Sequence, residues 1–204
     1  MSTVLFQVEE GVARITLNRP DVFNAFDDEQ SYALQSALKE ASRNDEVRVV
    51  VLTGAGCSLA LACDLTVAAH SAKFIEVFVN VGLVLDSGSS YFLPRLVGSA
   101  RAFEMSTLAN RIDAQTAVQW GLINKAVPDE ELDQAVQVWA DHYRQAPTKA
   151  IGLIKKMLNR SFHSDLDQML DYEALCQGIA GRSEDHKEGV AAFNAKRSPL
   201  FTGR

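Results

Sequence analysis

Two stretches of the chain hold residues whose types and spacing could do chemistry. The first is Thr53-Gly54-Ala55-Gly56-Cys57-Ser58, lying between an apolar strand pattern and an apolar helix pattern that runs through Leu59 and Leu61 to Cys63. A strand, a small-residue turn and a helix start in succession leave backbone N–H groups unpaired and pointing outward, so the turn can cradle a phosphate or a developing oxyanion. It is not a P-loop, because no Gly-Lys-Ser/Thr follows. The plainer reading is a tight turn and nothing more. The second stretch is Val81-Gly82-Leu83-Val84-Leu85-Asp86-Ser87-Gly88-Ser89-Ser90. Asp86 there either caps a helix starting near Gly88 or exchanges protons in an apolar pocket. Ser87, Ser89 and Ser90 lack the Gly-x-Ser-x-Gly surroundings of an activated serine. His70, His142, His163 and His186 are not spaced as metal ligands, and Cys57 and Cys63 read as small core residues.

The elements that must position these residues run strands first and helices last. Val4, Phe6 and Val8, then Ala13, Ile15 and Leu17 after Gly11, alternate with polar neighbours and predict a β-hairpin. Pro20 ends that ladder. Asp27 with Gln30 forms a capping-box pattern ahead of Leu34, Leu38 and Ala41. The near-continuous run Val47 to Leu52 predicts a strand covered on both faces. From Asp113 the pattern is mostly helical: Leu132, Val136, Trp139 and Tyr143 form one stripe, Pro147 separates it from the next helix, and Ser183 starts a last helix ending before Pro199. No linker or repeat divides the 204 residues. One α/β domain is expected, with its core in 1–127 and a helical region in 128–204.

Composition narrows the class. A content of 47% hydrophobic and 23% charged residues supports a packed core. Twenty Lys and Arg against 26 acids give a net charge of -6, which argues against nucleic acid as a partner. No apolar run approaches the roughly 20 residues that cross a bilayer, and the first residues lack signal-peptide architecture. Three cysteines without paired spacing fit reduced thiols, so a cytoplasmic location is expected.

Taken together the motifs resemble the crotonase (enoyl-CoA hydratase/isomerase) family. Ile15-Thr16-Leu17-Asn18-Arg19-Pro20 with Asn24-Ala25 resembles its opening signature, and Gly54 through Asp64 its oxyanion turn and following helix. Ala72-Lys73-Phe74 through Gly98 is similar to the next segment, and Ala117 to Val127 to its Trp-Gly-Leu stretch. The tail, from Gly181-Arg182-Ser183-Glu184-Asp185 through Phe193 and Lys196-Arg197-Ser198-Pro199 to Phe201, resembles the phenylacetate-degradation branch, whose members expand the ring of 1,2-epoxyphenylacetyl-CoA. The resemblance implies a ββα superhelix with a C-terminal helical lobe and the activity of an acyl-CoA isomerase. It implies oxyanion donors at the backbone N–H of Ala55 and Gly56, and a proton shuttle at Asp86. Val22, Phe23 and Ala25 would line the CoA channel, Phe78, Val81, Leu83 and Leu85 an apolar wall, and Phe193 and Lys196 would reach the CoA phosphates. Lys196 reads equally as an ordinary solvated lysine. No metal or redox cofactor is implied, since CoA enters with the substrate. A homotrimer or hexamer and a hydratase partner enzyme are implied.

The chain departs from the family pattern in two ways. A long segment normally separates the strand ending in Thr-Gly-Ala-Gly from the later Gly-Ala-Gly turn, whereas here Val51-Leu52-Thr53 runs straight into Gly54-Ala55-Gly56-Cys57, as if two similar sites were fused. Either this is a true internal deletion or residues of a longer protein are absent from the chain; the missing piece would carry the first oxyanion donor, the loop around the CoA adenine and a core strand. The two glutamates of the family's hydratases fall at Ser58 and Phe78, neither of which moves a proton to or from water. Glu76 is expected on a strand, facing away by alternation. An enoyl-CoA hydratase of fatty-acid or aromatic catabolism and a non-catalytic subunit of the same fold are the alternatives.

Overall fold

The computed structural model describes residues 2–22 and 24–204. The N-terminal alternation folds into a hairpin of β1 (Val4–Glu9) and β2 (Val12–Leu17). Glu10 and Gly11 join them at φ +47° and +81°, the two positive angles whose twist matches the flanking strands. α1 (Asp28–Arg43) follows, started by Asp27, whose Oδ1 accepts the Gln30 N–H at 2.9 Å. The expected box closes on that side only, because the Gln30 side chain donates instead to the Thr3 carbonyl at 3.3 Å. Leu34 and Ala37 of α1 pack on Val4, Ile15 and Leu17 of the hairpin, the helical stripe against the strand face that the two periodicities require.

β3 (Val49–Thr53) completes a sheet of order β1-β2-β3. The expectation of a strand covered on both faces fails here. β3 takes the end of the strand order, and Val50 is 42% exposed. α2 (Cys57–Ala60) is a single turn rather than a helix reaching Cys63. The Thr66 hydroxyl donates to the Ala60 carbonyl at 3.2 Å, occupying the acceptor that another helical turn would use. The chain then enters β4 (Val67–Ala69) and β5 (Lys73–Phe74), followed by α3 (Ser89–Val97) and α4 (Ser99–Leu108), which are divided by Gly98 at φ +80°. β6 (Ile112–Asp113) pairs antiparallel with β5, and α5 (Ala114–Gln119) starts where Asp113 Oδ1 accepts the Thr116 N–H at 2.7 Å. β7 (Lys125–Val127) pairs parallel with β4. Phe74, Leu93, Met105, Ile112 and Ile123 form the core beneath these elements.

The remaining helices are α6 (Leu132–Gln145), α7 (Thr148–Ser161), α8 (Leu166–Ala180) and α9 (Glu184–Asn194). Pro147 divides α6 from α7, and Ser183 Oγ caps α9 by accepting the His186 N–H at 3.0 Å. The chain clusters into two compact units. One comprises Met1–Gln7, Arg14–Ala41 and Val51–Val138; the other comprises Val8–Ala13, Ser42–Val50 and Trp139–Arg204. Within the second, buried Asp185 accepts the N–H groups of Thr202 and Gly203 at 2.7 and 2.8 Å. Arg48 donates to Thr148 Oγ1 and to the carbonyls of Phe201 and Ala146. These bonds hold the C-terminal tail.

Candidate active site

The turn after β3 is fixed by glycine and by one asparagine. Gly54 sits at φ +77°, and a Cβ there would lie 2.9 Å from both the Leu17 carbonyl oxygen and Asn24 Nδ2. Only glycine fits such an angle this close to backbone. Asn24, itself at φ +57°, donates from Nδ2 to the Gly54 carbonyl at 3.0 Å and accepts the Arg19 N–H on Oδ1 at 2.6 Å. The two residues that follow, Ala55 and Gly56, donate their N–H groups to no backbone carbonyl among the described residues. Two unpaired donors at the mouth of a helical turn are suited to an oxygen that gains negative charge.

Asp86 lies in the exposed loop ahead of α3. Among the described residues no hydrogen bond or ion pair engages its carboxylate, and the N-cap of α3 is Gly88, with no side-chain bond. The helix-cap alternative is therefore not what the fold uses. The expected apolar wall also needs correction. Phe78 is half-buried, but Val81 and Leu83 are 73% and 63% exposed. A 3-10 turn over Phe78–Val81 ends at Gly82 in the left-handed region, and the chain from there to Ser87 runs across the surface. Water therefore reaches Asp86 in this chain.

The desolvated carboxyl is Glu76 instead. β5 ends at Phe74, so strand alternation stops before Glu76 and its expected outward orientation fails. Glu76 is fully buried. The Ser58 hydroxyl donates to its Oε2 at 3.4 Å, while Oε1 and the hydroxyl of buried Ser89 have no hydrogen-bond partner. Burial pushes the Glu76 carboxyl above the usual range and outweighs the neighbouring Cys57, Ser89 and Ser58 groups; the charge of Asp86 adds to the rise. Burial, then the Glu76 charge, pushes the Cys57 thiol up as well. Cys63, expected in the core, is exposed. One signal did mark Glu76 in the sequence: it is a lone acid between Phe74-Ile75 and Val77-Phe78.

The other expected contacts are distributed between the two units. Val22 and Ala25 are exposed on a loop tied by the Ala25 N–H to the Val22 carbonyl at 2.9 Å and by Arg19 to the Ala25 carbonyl at 2.7 Å. Phe23 lies outside the described residues. Leu83 and Phe78 share the first unit with Asp86, Ala55 and Gly56. Phe193 and Lys196 belong to the second unit, at and just beyond the end of α9, and both are exposed. A separate cleft lined by Ala60, Leu61, Thr66, Leu96 and Asn124 includes none of these residues.

The family model described as enoyl-CoA hydratase/isomerase matches residues 7–56 and, as a second segment, 53–204. Thr53-Gly54-Ala55-Gly56 is thus matched twice, once as the end of one motif and once as the start of another. The chain is 36% identical to the 1,2-epoxyphenylacetyl-CoA isomerase of Escherichia coli (strain K12), covering all of both proteins. That alignment spans 261 positions against 204 residues here, an excess of 57. It is also 36% identical over 151 residues to the crotonyl-CoA hydratase of Syntrophomonas wolfei, covering 74% of this chain and 58% of that one. Among solved structures, an enoyl-CoA hydratase subunit of Geobacillus kaustophilus superposes with a TM-score of 0.93 at 27% identity, over 99% of this chain and 98% of that one.

Proposed function

The chain belongs to the enoyl-CoA hydratase/isomerase family, and we propose that within it the protein is an isomerase of acyl-CoA thioesters, rearranging 1,2-epoxyphenylacetyl-CoA or shifting an enoyl-CoA double bond in phenylacetate degradation. A thioester carbonyl acidifies its α-carbon, and the enolate formed needs stabilisation at oxygen. The turn that bears the Ala55 and Gly56 N–H groups supplies one of the two donors, the family's intervening segment carrying the other; one such donor is worth about 3 kcal/mol. Asp86 takes a proton from one carbon and returns it to another, so no net proton is consumed. The same proton transfer promotes opening and rearrangement of an epoxide. Val22, Phe23 and Ala25 line the CoA channel in this reading, Phe78 and Leu83 contact the acyl group, and Phe193 and Lys196 engage the CoA phosphates. The reaction draws on no metal or redox cofactor, and the working form is a homotrimer or hexamer served by a separate hydratase.

The observation that carries the reading is the carboxylate of Asp86, free of hydrogen bonds and ion pairs among the described residues, in the same compact unit as the unpaired Ala55 and Gly56 N–H groups. The 36% identity to an epoxyphenylacetyl-CoA isomerase over the whole chain points the same way. Ser58 and Phe78 offer no acid for hydration. A hydratase is the second reading, favoured by the similarity to a crotonyl-CoA hydratase. Parallel assays of double-bond isomerisation, epoxide rearrangement and crotonyl-CoA hydration decide. Isomerisation or rearrangement is expected to exceed hydration; hydration as the fastest of the three would overturn the proposal.

A further inference from the structure

The turn that bears Ala55 and Gly56 is only as precise as the elements that hold it. α2, which follows directly, is four residues long, and its N-cap Gly56 has no side chain to bond. A single helical turn has no stability of its own, so its contacts with the rest of the fold decide where it points. Leu59 packs on the cluster of Ile15, Leu17 and Leu34 from the hairpin and α1. Cys57 packs on the core that also contains Phe74 of β5 and Leu93 of α3. Ser58 is the polar anchor. Its hydroxyl donates at 3.4 Å to Oε2 of Glu76, two residues beyond the end of β5. Glu76 is fully buried, and the reaction above does not use it. Burying a carboxyl is unfavourable unless every polar atom finds a partner, and among the described residues Oε1 has none. An apolar side chain of similar size would cost less, so stability alone does not account for an acid here.

Resting on the reading of the Ala55–Gly56 turn as an oxyanion donor, we propose that Glu76 is a positioning residue for that turn. Through the Ser58 hydroxyl it fixes α2 in rotation, and with α2 the N–H groups just ahead of it. The apolar contacts of Cys57 and Leu59 hold the helix down but have no direction, so they leave rotation about its axis soft. A hydrogen bond has a preferred angle and removes that freedom. Asn24 holds the front of the same turn through the Gly54 carbonyl, so the donors are clamped at both ends. The precision matters, because a misplacement of about 1 Å at a reacting centre costs on the order of 10²-fold in rate. The role requires of residue 76 an acceptor oxygen, not a charge or a proton. Glutamine in place of Glu76 should therefore serve, and leucine should not.

Isotope-edited infrared spectroscopy of the thioester C=O in bound crotonyl-CoA reads donor alignment without needing turnover, and isomerase kinetics reads its effect. Both are measured on the full chain and on Glu76→Gln, Glu76→Leu, Ser58→Ala and the double variant Ser58→Ala/Glu76→Leu. A donor aimed at the carbonyl oxygen lowers the C=O stretching frequency. In Glu76→Leu and in Ser58→Ala that lowering should shrink by about half, and kcat should fall at least about 10-fold with KM changed less than about twofold. Glu76→Gln should restore both readouts toward wild type. The double variant should be no slower than the worse single one, because one bond is lost in all three. It should also melt no lower than wild type, since donor and acceptor leave together; a purely structural bond would instead make activity follow stability. Wild-type carbonyl shift and kcat in Ser58→Ala overturn the proposal, whether or not Glu76→Leu folds. A Glu76→Gln as slow as Glu76→Leu overturns it too, because the charge or the proton would then be what matters. A carbonyl shift that depends on Ser58 and Glu76 without any isomerisation would keep the positioning role and sink the isomerase reading alone. Isomerisation insensitive to both residues would sink the positioning role alone, and an unshifted carbonyl in wild type would overturn both.

Discussion

The side-chain amide of Asn24 donates to the carbonyl of Gly54 at 3.0 Å, across thirty residues of sequence. The bond fastens the turn bearing Ala55 and Gly56 to the loop that follows β2. Gly54→Ala should therefore cost about 2–4 kcal/mol in urea unfolding, from a left-handed φ and a Cβ against the Leu17 carbonyl. Asn24→Ala removes two hydrogen bonds and should cost about 1–3 kcal/mol. Gly56→Ala meets no atom within 4 Å and should change stability by less than about 0.5 kcal/mol. Equal losses for the two glycines would contradict the geometry.

Asp86→Asn should lower isomerase turnover by roughly 10²–10⁴-fold, the scale of a positioned general base. Its melting temperature should match wild type, since the exposed carboxylate makes no hydrogen bond or ion pair among the described residues. Equal rates at equal melting temperature would reduce Asp86 to a surface residue.

Acid should release the tail of α9. Arg197 donates to both carboxylate oxygens of Glu188, at 2.6 and 2.8 Å, and the Leu200 N–H adds a third bond. The Arg197 hydrogen bond, followed by that of Leu200, lowers the Glu188 carboxyl to about 2. Its folded value lies below its unfolded one, so the stabilisation is complete above about pH 4.5 and is lost as pH falls toward 2. Hydrogen exchange should show residues 195–204 loosening in that window, and Glu188→Gln should loosen them already at pH 7. Tail protection that is flat from pH 5 to 2 would exclude this clamp.

The double match of Thr53–Gly56 makes intact mass decisive. A mass of 22.3 kDa means that the family's intervening segment is gone and one oxyanion donor with it. Such a chain should turn over about 10²–10³-fold more slowly than a relative retaining the segment, the usual effect of losing one donor. Comparable rates at that mass would mean that another group supplies the donor.

Self-association is expected too. Phe103 and Leu108 of α4 are 72% and 63% exposed, and Leu158, Phe162 and Leu166 around the end of α7 are exposed as well. Light scattering at micromolar concentration should report a trimer or hexamer, and a monomer would contradict this.

The sequence made the hairpin, the start of α1, the Pro147 break and the Ser183 cap legible, because each rests on local periodicity or a capping side chain. Asp86 and the Gly54 turn were legible as candidates for the same reason. Glu76 was misread because alternation holds only inside a strand, and β5 is two residues long. The wall of Val81 and Leu83 was misread because an apolar run signals burial only when something packs on it. The covering of β3 is likewise a property of its neighbours, which no local pattern in Val47–Leu52 contains.

That open edge has its own consequence. Val49-Val50-Val51-Leu52 carries no charge, glycine or proline, and among the described residues no strand pairs with it on the side away from β2. An apolar edge of this kind is a template for any extended segment, including β3 of another copy. Intermolecular strand pairing therefore competes with folding as concentration rises, and the protein is a candidate for fibrillar deposition during refolding. Lysine in place of Val50, whose side chain already meets solvent, is the gatekeeper that the edge lacks.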